Sequence, residues 1–87
     1  MGPVTADPEN IALGKAVVTF REACTLSKEE LAGRAKLTVE ELGKIERGEV
    51  EARWGDLRRI AYGLKIRLPQ LLALEEKIED RQRDQGD

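Results

Sequence analysis

The chain contains no histidine and a single cysteine, Cys24, among its 87 residues. Without histidine it lacks the side chain that most often moves protons near neutral pH, and the commonest metal ligand. One cysteine cannot close an internal disulfide or build a thiolate metal site, and such a chain suits a reducing cytoplasm. The expectation is therefore of no metal, no cofactor and no enzymatic reaction. Aromatic residues are also scarce: Phe20, Trp54 and Tyr62 are the whole set. Any core must be aliphatic. No apolar run approaches the ~20 residues of a membrane helix, so no membrane span is expected and the protein is expected to be cytoplasmic.

What is present is helical. The only β-branched run, Val17-Val18-Thr19, sits inside a longer helical pattern. Leu, Ile, Val and Ala recur at helical spacing, which predicts an all-α domain. Eighty-seven residues allow one such domain, near the size at which a single core just suffices. Expected divisions are a disordered start over 1–6, a folded domain over 7–78 and a charged, frayed tail over 79–87.

The most informative stretch runs from Ser27 to Gly48. Ser27 is followed three residues later by Glu30, and Thr38 three residues later by Glu41. Each pair predicts a capping box, in which hydroxyl and carboxylate satisfy orphan backbone donors at a helix start. Leu31 and Ala32 supply an apolar face for the first segment, and Leu42 and Ile45 for the second. Only about Lys36 and Leu37 lie between them. Two short helices joined by so tight a link make a helix-turn-helix.

These residues carry a resemblance. Ser27-Lys-Glu-Glu-Leu-Ala and Leu37-Thr-Val-Glu-Glu-Leu-Gly-Lys-Ile-Glu-Arg-Gly are similar to the core of the phage-repressor and Cro (XRE-like) family. Upstream it reaches Arg21, and downstream it runs through Leu57-Arg-Arg-Ile-Ala-Tyr-Gly-Leu-Lys-Ile to Leu71-Leu72, so it covers roughly 11–74. The fold it implies is a compact five-helix, repressor-like DNA-binding domain with helix-turn-helix at helices 2 and 3. It implies a left-handed turn at Thr25, Lys36 and Lys65, where the family often has glycine.

Asp7-Pro8 predicts the entry to helix 1, a cap residue followed by proline at the first helical position. Helix 1 should run to about Ala23 with Leu13, Val17, Phe20 and Cys24 facing the core, Cys24 as a small buried hydrophobe. A second strip of Ile11, Gly14 and Val18 has two readings: the helix start and loops cover Ile11 while Val18 is simply exposed, or the strip contacts a second subunit. Helices 2 to 4 should span about 28–35, 39–46 and 54–63, with Trp54 as a core lid. Leu68-Pro69 opens helix 5, whose Leu74–Ile78 edge is a competing dimer surface.

The net charge of −2 is unusual for a nucleic-acid binder, but it is unevenly spread. Residues 21–67 hold eleven Lys/Arg against nine Asp/Glu, a local +2; residues 68–87 hold three against six, a local −3. The resemblance puts the base-reading positions on Val39, Glu40 and Lys44, with Thr38 at the cap and Gly43 on the same outward face. It puts Lys28 at a phosphate, with Lys36, Arg47 and Arg53 flanking the backbone. Such a helix reads base edges in the major groove while cations beside it hold phosphates. Glu40, Glu49 and Glu51 stand where cations are common, and each subtracts from the counterion-release term.

Two readings follow. One is a sequence-specific transcriptional regulator that binds double-stranded DNA as a homodimer, a description that covers autoregulatory antitoxins and controller proteins. The other is a helix-turn-helix domain that serves as a protein-interaction module.

Overall fold

The computed structural model describes residues 7–85, so the expectation for residues 1–6 falls outside the described part. Five α-helices follow one another: α1 (Pro8–Ala23), α2 (Lys28–Ala35), α3 (Val39–Glu46), α4 (Trp54–Leu64) and α5 (Leu68–Gln85). There is no strand among the described residues.

The helix starts obey local chemistry. The Asp7 carboxylate accepts from the Glu9 amide at 2.9 Å, and Pro8 occupies the first turn. Ser27 with Glu30 and Thr38 with Glu41 form both halves of a capping box. At the start of α5, the Arg67 amide donates to Gln70 Oε1 at 2.8 Å. Two helices end on left-handed lysines, Lys36 (φ 57°) after α2 and Lys65 (φ 60°) after α4. Thr25 (φ 59°) makes the same turn after α1. A side chain in that region costs about 1–2 kcal/mol, so all three turns are held by the surrounding packing.

Leu31, Leu42, Ile60, Leu64, Leu71 and Val17 are the largest fully buried side chains. Around them α2 packs on α4, and α5 lies along α1. Helix α1 crosses the end of α3 at Gly14: a Cβ there would stand 2.4 Å from the Glu46 carbonyl oxygen and 2.5 Å from that of Ile45. Of the strip of Ile11, Gly14 and Val18, Gly14 is thus buried inside the molecule, while Ile11 and Val18 are half-buried. Ile11 lies over Gly48, whose own Cβ would meet Ile11 Cα at 2.8 Å.

Several expectations need correcting. The buried positions of α1 are Ala12, Gly14, Ala16 and Val17, while Leu13 and Phe20 are only partly covered. Small residues let α1 approach its neighbours, so the core face is rotated from the one the large side chains suggest. Cys24 is exposed at the C-cap of α1, its Sγ 3.8 Å from the Leu64 carbonyl oxygen. Trp54 is no lid: it is 58% exposed at the first position of α4. Helix α5 continues to Gln85, past residue 79, the expected start of the charged tail. Gln82 Nε2 donates to the Pro8 carbonyl at 3.3 Å, tying the end of α5 to the start of α1. Leu74 and Ile78, the alternative dimer edge, are partly buried against the core.

Candidate nucleic-acid interface

Helix α3 is fixed from below and open above. Leu42, Gly43, Ile45 and Glu46 are buried; Val39, Glu40, Glu41 and Lys44 are exposed. The Glu41 amide donates to Thr38 Oγ1 at 3.0 Å, and the Thr38 amide donates to Glu41 Oε1 at 2.8 Å. These bonds to Thr38 hold the Glu41 carboxyl below its ordinary range, with Arg59 and Lys44 adding smaller contributions. Glu41 is therefore a structural group. Glu40, one residue earlier, has no hydrogen bond or ion pair among the described residues, and it shares the open face with Lys44 one turn on.

Gly43 departs from its expected place. It is buried, and a Cβ on it would lie 2.9 Å from Arg47 Nη1. Arg47 folds over Gly43 and pairs with Glu49, its Nε donating to Oε2 at 2.5 Å. That hydrogen bond raises the Arg47 pKa and lowers that of Glu49. Glu49 thus has the structural explanation that the sequence did not supply, and one of the four cations expected at the backbone, Arg47, is already matched within the chain.

Glu46 anchors the base of α3. Its side chain is 3% exposed, and it accepts from Arg21 Nε at 2.7 Å and Nη2 at 3.3 Å. Arg21 Nη1 also donates to the Leu26 carbonyl at 3.0 Å. Lys28 Nζ stands 4.0 Å from Glu46 Oε1, its side chain 42% exposed. The expected phosphate contact at Lys28 is thus positioned by the same carboxylate that ties α3 to α1. The sequence shows Arg21 only as the upstream limit of the resemblance and Glu46 only within its motif; their pairing across 25 residues has no local spacing to reveal it.

The remaining candidates are exposed around this helix. Lys36 is the left-handed cap between α2 and α3, and Arg53 caps α4 with no side-chain hydrogen bond. Val50 (39% exposed) and Trp54 (58%) add apolar surface to the α3–α4 loop. Among the described residues, no group of His, Cys, Asp and Glu is arranged to hold a metal. No described helix is long and apolar enough to cross a membrane. The arrangement offers hydrogen-bond donors, one acceptor carboxylate and an apolar Val39 on a rigid helix, the elements of base-edge recognition.

Comparison with solved structures places this architecture. It is similar to the clp gene regulator ClgR from Corynebacterium glutamicum in two crystal structures, both at 24% identity. One has a TM-score of 0.88 and covers 95% of this chain and 88% of that one. The other has a TM-score of 0.76, covering 87% and 94%. It is also similar to the restriction-modification controller protein C.AhdI from Aeromonas hydrophila. There the TM-score is 0.73 at 26% identity, covering 75% of this chain and 98% of that one. The search of curated proteins gives no match. The family model described as a helix-turn-helix domain matches residues 12–74, from the buried turn of α1 into α5. With that match spanning most of its length and the XRE-like motif intact, the chain belongs to the helix-turn-helix domain family.

Proposed function

We propose that this chain is a sequence-specific, dimeric DNA-binding transcriptional regulator whose helix α3 lies in the major groove. One observation carries the reading: a short helix, capped at both N-terminal donors and tied underneath by Glu46, presents Val39, Glu40 and Lys44 to solvent. None of these three is needed by the core. Lys44 suits guanine acceptors or a phosphate, Val39 a thymine methyl, and Glu40 a cytosine amine. Lys28, Lys36 and Arg53 serve as phosphate contacts. The similar structures, of a gene regulator and a restriction-modification controller, support the same reading.

Ion pairing removes Arg47 from the free positive charge, so each monomer binds weakly and affinity depends on pairing two half-sites. The dimer surface is what the core leaves exposed of Ile11 and Val18 or, as the competing site, of Leu74 and Ile78. Footprinting on the DNA upstream of the protein's own coding sequence, with sedimentation of the free protein, tests the proposal. A protected, two-fold-related site and a dimer are expected. A monomeric protein that protects nothing at low salt would instead favour the protein-interaction module, for which the unpaired Glu40 on the open face is the specific observation.

A further inference from the structure

A cluster of positive side chains lies away from the open face of α3. Along the seam between α2 and α4, Arg34, Lys36, Arg58, Arg59 and Lys65 surround the exposed ring of Tyr62. No carboxylate lines the two shallow hollows there; Gly63 and Ile66 complete the floor. Tyr62 is 79% exposed, the most open large hydrophobic side chain among the described residues. By contrast, the hollow between α1 and α5 is lined by Glu9, Glu51, Glu75, Glu76 and Glu79. A chain of net −2 is thus electrically polarised, with its positive end on the α2–α4 side.

Part of this patch serves the fold. Arg34 Nη1 donates to the Gly63 carbonyl at 3.2 Å, and Arg59 Nε to the Ala35 carbonyl at 3.0 Å. Both satisfy the negative ends of helices. The same bonds hold two guanidinium groups in place with further donors free, which lowers the entropy cost of a second contact. Arg59 also pairs with Asp56. Arg58, Lys65 and Tyr62 make no side-chain hydrogen bond or ion pair among the described residues, and the core does not account for them.

We infer that this seam is a second DNA-backbone surface, contacting phosphates that flank the sequence read by α3. The inference rests on the DNA-binding reading above. Its support is continuity: Lys36 lies two residues before Thr38, the cap of α3. The patch therefore begins at the end of α3 that carries Val39 and Glu40 and runs away from it along α4. Phosphates accept from Arg, Lys and Tyr without regard to sequence. Such a surface supplies the cations that the reading helix and its loop lack, and the polarised charge orients the domain during encounter.

The test uses the whole protein and a double variant, Arg58→Gln with Lys65→Asn; asparagine tolerates the left-handed backbone at 65. Binding is measured on a duplex cut to the recognised core and on the same core extended by about 10 bp, one helical turn, on each side. The double variant should melt like the wild type and match it on the short duplex. On the extended duplex its salt slope should fall by about 1.8, at ~0.9 per lost phosphate contact. Between 50 and 200 mM salt that makes its loss of affinity about twelvefold smaller than that of the wild type. Equal slopes on the extended duplex overturn the inference while leaving α3 as reader. Should poly-glutamate bind the wild type but not the variant in that case, the seam docks an acidic protein instead. A wild type that binds neither duplex removes both readings.

Discussion

Glu46→Ala should unfold this domain more effectively than its single carboxylate suggests. The carboxylate is 3% exposed and sits 2.7 Å from Arg21 Nε, whose side chain is 12% exposed. At an effective dielectric of about 20, two unit charges at that distance attract by roughly 6 kcal/mol. Removing both from water costs several kcal/mol per ion, so the intact pair is worth little in total. Truncating one partner is different, because it leaves the other charge buried and unmatched. Arg21 would keep only its bond to the Leu26 carbonyl. The expected cost is about 3–5 kcal/mol, comparable to all that a core of this size rarely exceeds. Lys28 is too exposed for its 4.0 Å contact to contribute more than about 0–1 kcal/mol. Urea melts followed by circular dichroism should therefore find Glu46→Ala largely unfolded without denaturant. Lys28→Ala should stay close to wild type, and Arg21→Met with Glu46→Leu should recover most of the loss. A Glu46→Ala melt within about 0.5 kcal/mol of wild type, the usual range of a neutral surface change, would refute the reasoning.

Other consequences are as direct. Leu31→Ala, at a fully buried position, should cost about 2–5 kcal/mol and leave little helical signal at room temperature. Gly33→Ala should raise stability by about 0.5–1 kcal/mol, since nothing lies within 4 Å of the new Cβ. Gly63→Ala should lower it, because the added carbon would stand 2.9 Å from Leu31 Cδ1; equal melting points for the two variants would show that α2 and α4 are not in contact. The cap carboxylates Glu30 and Glu41 have folded pKa values below the ordinary 4.5 through their bonds to Ser27 and Thr38. Their stabilisation is complete above 4.5 and is lost as pH falls through the lowered folded values. The melting temperature should thus drop in acid, and less steeply in Glu30→Gln with Glu41→Gln.

Much of this architecture is written locally. Ser27 with Glu30 and Thr38 with Glu41 satisfy backbone donors three residues away, so α2 and α3 are legible from spacing alone. Asp7-Pro8 marks α1 in the same way. What escaped depends on partners distant in sequence. The buried face of α1 is made by Ala12, Gly14, Ala16 and Val17, and the absence of a side chain at Gly14 matters only because α3 ends against it. Cys24 and Trp54 sit at helix ends, where an apolar pattern no longer decides which way a side chain faces. The charged end of α5 stays helical with help from Arg83, 3.7 Å from both Glu79 and Asp80, and from Gln82, which donates to the Pro8 carbonyl of α1. At the candidate interface, the exposure of Val39, Glu40 and Lys44 was legible from the helical period. The pairing of Arg47 with Glu49 was not, because the chain turns through Gly48 to bring them together.

The claim that α3 reads DNA is tested most directly by titrating wild type, Lys44→Ala and Glu40→Gln against the footprinted duplex and a scrambled one at two salt concentrations. Lys44→Ala should leave the melt unchanged and weaken cognate binding by about 1–3 kcal/mol. Glu40→Gln should relax discrimination at one base pair if the carboxylate accepts from cytosine, or tighten binding to both duplexes if it only repels phosphate. All three proteins binding both duplexes equally, at either salt, would contradict the account: α3 would then not be a reader.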